Sequence, residues 1–396
     1  MKQPAPVLNR VRVTNYKSIA SCEVVFTPLL ILVGPNGAGK SNFIDALLFV
    51  TDVLESTPAD AVARRGGLDA VIRRVPEALD EFSIELELSL DVHGQLIPVL
   101  YGFTIGRDLT SRGSLIVRHE RCLLRNGADE TSWTAFEAES GRVLQSGETN
   151  RTRRNTRGQI EPDRLYLPLA ATQGEFSEVY QALRAMLFYH LDTDLMRRVE
   201  PERVSRQLGY SGEGLGEVLG ALKQGFPVFK ARLDDYMSAI VPGVAGVDQR
   251  LAGPYSTVEL RTRESERAFG PESISEGTLH AAGVLAALFQ PIVLEGRATL
   301  LAIEEPETAL HPAASGALFD ALTEASERCQ VIVTTQSADL LEREDIDPDW
   351  VRVVTIDGGV TEIGGIDGIS RGLVKDKLAT VGELMRGRQL RPEGDG

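Results

Sequence analysis

Lysine is nearly missing from this chain: seven of its 396 residues carry it, against a formal net charge of −15. Such an acidic balance excludes a protein coated in nucleic-acid-binding charge. Screening confines each charge to about 8 Å at physiological salt, so a local basic site remains open. Cysteine is scarce too. Cys22, Cys122 and Cys329 stand far apart and in no CxxC pair. That excludes a disulfide framework and a cysteine-ligated zinc, and leaves buried thiols in a reducing compartment. No apolar run reaches the roughly 20 residues of a membrane-spanning helix. The longest, around Ala281–Phe289, ends at Gln290, and the opening MKQPAPVLNR holds no apolar signal core. A cytoplasmic protein without a membrane partner is expected.

One of the few lysines falls in the strongest local pattern, Gly34-Pro35-Asn36-Gly37-Ala38-Gly39-Lys40-Ser41. It fits G-x-x-x-x-G-K-[ST] and lies between a strand candidate, Leu29–Val33, and the helically spaced apolar residues of Asn42–Val50. Glycines let backbone N–H groups wrap a polyphosphate, and the helix N-terminus adds partial positive charge at the same spot. Lys40 would bridge the terminal phosphates, and the Ser41 hydroxyl would hold Mg²⁺. The pattern predicts ATP and Mg²⁺ as ligands of Asn36, Gly37, Ala38, Gly39, Lys40, Ser41 and Asn42.

A second constellation sits late in the chain. Thr299–Ile303 is an apolar strand candidate that delivers Glu304 and Glu305 at its tip. This is the Walker B arrangement, with Glu304 on the metal side and Glu305 polarising the attacking water. Strand alternation is expected to aim the two carboxylates apart. Upstream, Ser275-Glu276-Gly277-Thr278 precedes the helical run Leu279–Phe289, with Ser275 placed as an N-cap. Taken alone, the bland alternative is simply a capped core helix. His311, before Pro312, either precedes a helix or belongs to the site. Gln336, after the strand candidate Val331–Thr334, is a site residue or a plain loop residue.

Together these segments resemble the compact RecF/SMC-like ATPases, ABC-type heads of the bacterial AAA-21 family. Val13–Ser18 resembles the element ahead of Walker A in that family, Ser275–Thr278 its S-D/E-G-T signature, Ile303–Pro312 its Walker B and D-loop, and Thr334–Leu341 its switch segment. The resemblance implies a homodimer closed on ATP, with Ser275, Gly277 and Thr278 of one head meeting the γ-phosphate held by the other. It also implies that Lys17, Ser18 and His311 help hold nucleotide. Two helix N-termini facing one γ-phosphate would give charge-assisted hydrogen bonds of about 1.5–3 kcal/mol each. Two positions depart from the pattern: Glu304 stands where many relatives have Asp, and Gln336 replaces the usual switch His. An amide hydrogen-bonds but carries no proton, so slow turnover is implied. Gln173 is a candidate for the Q-loop glutamine, though it reads more readily as an ordinary helix-leading residue.

The expected fold is α/β, a P-loop NTPase head of the ABC/SMC type over residues 1–396. It divides into an N-terminal lobe with an antiparallel sheet (1–160), a helical insert (161–245) and a C-terminal lobe carrying signature, Walker B and switch (246–396). Alternation from Glu81 to Leu124 predicts an antiparallel meander. Residues 141–158 read as a polar loop, and Glu175–Leu191 and Leu215–Ile240 as amphipathic helices. No heptad pattern is sustained between Ser41 and Ser275, which predicts a head without coiled-coil arms. Two basic clusters, Arg151/Arg153/Arg154/Arg157 and Arg64-Arg65 with Arg73-Arg74, are candidate contacts to DNA phosphates. Repair or antiphage defence on DNA is one expected role. The other is control of a separate effector protein such as a nuclease.

Overall fold

The computed structural model describes residues 8–75, 79–92, 95–108, 114–125, 133–149, 152–172, 174, 176–201 and 206–393. Two hairpin strands open the chain, β1 (Leu8–Tyr16) and β2 (Ile19–Val25), followed by β3 (Leu29–Val33). All five residues of β3 are buried, as in a strand covered on both faces. Three helices follow: α1 (Lys40–Glu55), α2 (Pro58–Arg64) and α3 (Leu68–Val71).

The meander is longer than its apolar alternation. It runs β4 (Glu81–Val92), β5 (Gln95–Arg107), β6 (Leu115–Arg125), β7 (Trp133–Glu139), β8 (Arg142–Thr149) and β9 (Thr152–Gln159), each antiparallel to the one before. Residues 141–158 are therefore a hairpin, not a loop, in register from Arg142↔Gln159 to Thr149↔Thr152. Its rim position explains the miss. Backbone pairing holds the hairpin while few side chains need burial, so no hydrophobic period marks it.

Next come α4 (Leu167–Ala171), α5 (Ser177–Arg184), β10 (Met186–Tyr189), α6 (Thr193–Met196) and β11 (Glu200–Pro201). The expected helix over Glu175–Leu191 breaks at Ala185. Met186–Tyr189 is buried throughout and pairs in parallel with the later Walker B strand. A short continuous apolar run has no period to separate strand from helix. The segment read as a helical insert thus contributes a strand to the central sheet. Leu215–Ile240 is two helices, α7 (Leu215–Gly225) and α8 (Pro227–Ile240), divided where Pro227 opens the second.

The chain continues through β12 (Val244–Ala252), β13 (Tyr255–Thr262), α9 (Glu276–Phe289), α10 (Pro291–Leu294), β14 (Leu300–Glu304), α11 (Ser315–Ser326) and β15 (Gln330–Thr335). It closes with β16 (Val351–Asp357), β17 (Val360–Gly364), α12 (Gly368–Lys375) and α13 (Val381–Arg386). Against the sequence expectation, the helical stretch Glu276–Leu294 is long and, on average, apolar enough to span a bilayer, yet 83% of its most apolar window is buried inside the fold. A helix apolar on every side belongs in a core, and α9 is one.

Fourteen strands form one sheet in the order β10-β14-β15-β3-β16-β17-β2-β1-β4-β5-β6-β7-β8-β9, and β11, β13 and β12 form a small second sheet. At its centre β14, β15, β3 and β16 run parallel. Their C-terminal ends therefore open on one edge, where α/β sheets bind ligands. Cys22, Cys122 and Cys329 are free and buried.

Candidate functional site

Three parallel strands deliver the site. β3 runs into the phosphate loop, β14 ends at Glu304, and β15 leads to Gln336. Register places Glu304 beside Thr334 and Val33 beside Thr335, so loop, carboxylates and switch segment share one edge.

The loop is held by contacts that only glycine permits. A Cβ on Gly34 would lie 2.1 Å from the Val354 carbonyl oxygen. Gly39 has φ of +106°, and a Cβ there would lie 2.1 Å from Thr361 Oγ1. Lys40 is 5% exposed and folds back over the loop, donating through Nζ to the carbonyls of Gly34 at 2.7 Å and Pro35 at 3.0 Å. Burial lowers the pKa of its ammonium group, while the fields of Glu305, Glu307 and Glu304 oppose that shift. Asn36 and Gly37 are exposed at the loop tip, and Ala38 is buried beneath it.

Ser41 donates its hydroxyl hydrogen bond to the Glu304 carboxylate. One hydroxyl and one carboxylate are hard oxygen donors, the set magnesium accepts when phosphates and water complete its shell. The residues fit Mg²⁺, and Ser41 and Glu304 would hold it. The two Walker B carboxylates diverge by a turn, not by the expected pleat. Glu304 is the last strand residue, and Glu305 adopts φ of +44°, left-handed backbone that a side-chain-bearing residue rarely takes. Thr334 secures that turn, accepting the Glu305 N–H on its carbonyl at 3.0 Å and on its hydroxyl at 3.2 Å. Gln336 Nε2 reaches Glu305 Oε2 at 3.5 Å.

Two residues of this site were missed by motif reading. Thr361, on β17, donates to the Ala38 carbonyl at 2.8 Å and pairs with the Ser18 hydroxyl at 2.6 Å. Asn42 donates to the same Ser18 oxygen at 2.6 Å, so loop, helix α1 and two hairpins are joined at one point. Glu307 carries the switch: its carboxylate accepts from Thr335, whose hydroxyl accepts the Ser337 N–H at 2.9 Å. Burial raises the Glu307 pKa against the hydrogen bonds from Thr335 and the nearby backbone. Nothing in the local sequence marks Thr361. Glu307 stood in plain view inside the Walker B segment.

Thr361→Val keeps shape and removes the hydroxyl. It leaves the Ala38 carbonyl without its donor, a loss of about 1 kcal/mol. Affinity for a fluorescent ATP analogue is expected to fall about fivefold; a wild-type titration curve would remove Thr361 from the cradle.

The remaining sequence candidates divide. Ser275 caps α9 as expected, accepting the Thr278 N–H at 3.3 Å, and it lies exposed. Gly277 lies against the Ala309 carbonyl, where a Cβ would be 2.3 Å away. Among the described residues no hydrogen bond links Ser275 or Thr278 to the phosphate loop of the same chain. Lys17 pairs with Asp45 of α1 at 2.6 Å. His311 accepts the Ala313 N–H on Nδ1 at 3.1 Å, the helix-leading role. Gln173 and Arg151 lie outside the described residues.

Of the basic clusters, the Arg65 side chain is buried while Arg64 and Arg74 are exposed. Arg65 is 7% exposed, held by Asp45 at 2.9 Å and Asp52 at 2.7 Å, with its guanidinium over the Phe49 ring. Arg64 pairs with Asp52, and Arg74 donates to the Asp69 carbonyl. Burial would raise the Asp45 carboxyl, but Arg65, Lys17 and Tyr16 hold it below its ordinary value. Arg65→Ala is thus expected to cost about 3 kcal/mol of stability, because Asp45 and Asp52 lose their most buried cationic partner and keep only Lys17, Tyr16 and Arg64. Urea denaturation reads this; an unchanged midpoint would show the pairing idle. Arg153, Arg154 and Arg157 lie on β9, a rim strand and not a loop, with Arg157 exposed.

A profile described as "AAA domain, putative AbiEii toxin, Type IV TA system" matches residues 29–342, from β3 through the switch segment. The chain belongs to this AAA-21 family. Its fold is that of SMC heads: at a TM-score of 0.57 and 14% identity, it covers 92% of this chain and 99% of an SMC head solved with the C-terminal winged-helix domain of ScpA. An SMC head from Pyrococcus furiosus with an extended coiled coil, bound to the C-terminal domain of ScpA, gives 0.57 at 13% identity over 94% of this chain and 100% of its own. In sequence, the AAA-21 chain is 25% identical to the OLD nuclease of Thermus scotoductus over 84% of its own length and 59% of that protein's. A RecF replication and repair protein of Porphyromonas gingivalis is 34% identical over 87 residues, 21% of this chain and 24% of RecF. The family, the P-loop and the SMC-head architecture agree.

Proposed function

We propose that this AAA-21 head hydrolyses ATP and does so as a pair, each nucleotide lying between the phosphate loop of one chain and the Ser275 turn of the other. The observation that carries the reading is the shared sheet edge: Lys40, Ser41, Glu304, Glu305 and Gln336 converge there from β3, β14 and β15. Lys40 and the loop amides bind the phosphates. Glu305 takes the proton of the attacking water at its carboxylate, and Gln336 orients that water or the γ-phosphate. Ser41 and Glu304 would hold Mg²⁺, which would supply positive charge against the phosphates. Ser275 and Glu276 at the start of α9 are exposed, and among the described residues no hydrogen bond ties Ser275 to its own phosphate loop, which suits a role toward a second chain.

The substrate we propose is DNA, in repair or antiphage defence. Relatives named as repair, chromosome-maintenance and nuclease proteins support it, as does the basic strand β9 on an acidic chain. Gln336 favours a second use of the same switch. An amide beside Glu305 moves no proton, so slow hydrolysis would time the release of a partner effector such as a nuclease.

Turnover per head is the test of pairing. It is expected to rise with protein concentration, because each site needs two chains, and to rise further with duplex DNA in a salt-sensitive way. Turnover independent of concentration over about a hundredfold range, well either side of any dimer Kd, would sink the paired site.

A further inference from the structure

Helix α9 is held at its N-terminal end by its own chain from three sides. Arg197, just past α6, donates through Nη1 to the carbonyls of Pro271 at 2.7 Å and Ile274 at 2.6 Å, the turn that delivers Ser275. Gly277 abuts the Ala309 carbonyl. One turn on, His280 is 4% exposed with its ring against the backbone carbonyls of Glu305 and Pro306.

The stretch that ends in Arg197 begins at the catalytic edge. His190 follows β10, the neighbour of β14, and its Nδ1 lies 3.7 Å from Glu304 Oε1. Between the two ends, Asp192 caps α6 by accepting the Asp194 N–H at 2.8 Å, and Met196 packs over Gly283 of α9. Backbone pairing of His190 with Tyr210 and Asp192 with Ser211, at 3.0 Å each, stiffens the stretch.

We infer that His190–Arg197 is a strap tying the carboxylate tip of a head to the signature turn of the same head, with Arg197 the positioning residue for Ser275. Two carbonyl oxygens on one turn call for a donor with fixed geometry. A planar guanidinium supplies it, whereas an ammonium supplies a rotating point charge. The inference rests on the paired-head reading for its second consequence: in a pair, one head's carboxylates and its Ser275 turn serve opposite nucleotides, so the strap links the two sites. Its physical content is one rigid connection with both ends at nucleotide-contacting groups.

Arg197→Met, similar in length and uncharged, tests it beside Arg197→Lys. Hydrogen exchange of the ATP-free protein reads the turn directly. Amides of residues 274–279 are expected to exchange about tenfold faster in Arg197→Met, with Lys intermediate and β14 unchanged. With ATP, the Hill coefficient of turnover is expected to fall to about one and kcat about tenfold, while ATP affinity of the unpaired head moves less than about twofold. Unchanged exchange over 274–279 overturns the inference whatever the ATP chemistry does. Faster exchange in a protein whose wild type never pairs would uphold the positioning of the turn and overturn both the link between sites and the paired-head reading.

Discussion

Glu305→Gln is expected to bind ATP and keep it. The substitution retains size and hydrogen bonding and removes only the capacity to take a proton from water. General-base catalysis contributes about 10²–10⁴-fold, so kcat should fall by at least about a hundredfold. The left-handed backbone at Glu305, secured by Thr334, holds this side chain off the strand and clear of Glu304, so the metal side should be unaffected. With hydrolysis stalled, the contacts across the γ-phosphate persist, and light scattering during size exclusion should show an ATP-dependent species of twice the monomer mass. A Glu305→Gln protein that stays monomeric and turns over ATP at the wild-type rate would remove Glu305 from the chemistry.

Lys40→Ala is expected to fail one step earlier. Its ammonium group lies in the field of Glu304, Glu305 and Glu307, with burial working against its charge. Removing it leaves the fields of three carboxylates on incoming phosphates without the lysine that opposes them. Loss of a charge-assisted contact of about 1.5–3 kcal/mol corresponds to about 10- to 150-fold in Kd, and the uncompensated repulsion adds to that. Fluorescent-ATP titration should show affinity about a hundredfold weaker, and ATP should no longer change the elution volume. The pair of variants separates binding from cleavage. If Lys40→Ala binds ATP like wild type, the cradle has been placed on the wrong loop.

Much of this site could be read before any coordinates, because its chemistry is written in short contiguous motifs. The strands into Gly34 and Glu304, the cap at Ser275 and the switch at Gln336 stand where local patterns put them. The misses share one cause, that their signal is not local. Thr361 reaches Ala38 across the sheet, and a lone threonine in a C-terminal hairpin announces nothing. β10 is a buried run too short to show a period. β8 and β9 pair through backbone on a rim where side-chain pattern is weak. Arg65 differs from its neighbour Arg64 for a reason no local pattern shows, since its acidic partners lie on α1. The divergence of Glu304 and Glu305 was rightly expected for the wrong reason, a turn where a pleat was assumed.

The placement of β3 between β15 and β16 has a consequence for how the molecule is made. The strand that launches the phosphate loop leaves the ribosome early, but both of its neighbours belong to the last quarter of the chain. Until they emerge, its apolar residues have no lateral partner, and Ala38 has no Thr361. Such long-range pairing folds slowly and exposes sticky surface meanwhile. A nascent chain stalled before residue 330 should therefore be a client of chaperones and blind to ATP, and nucleotide binding should switch on only once β15, β16 and β17 have emerged.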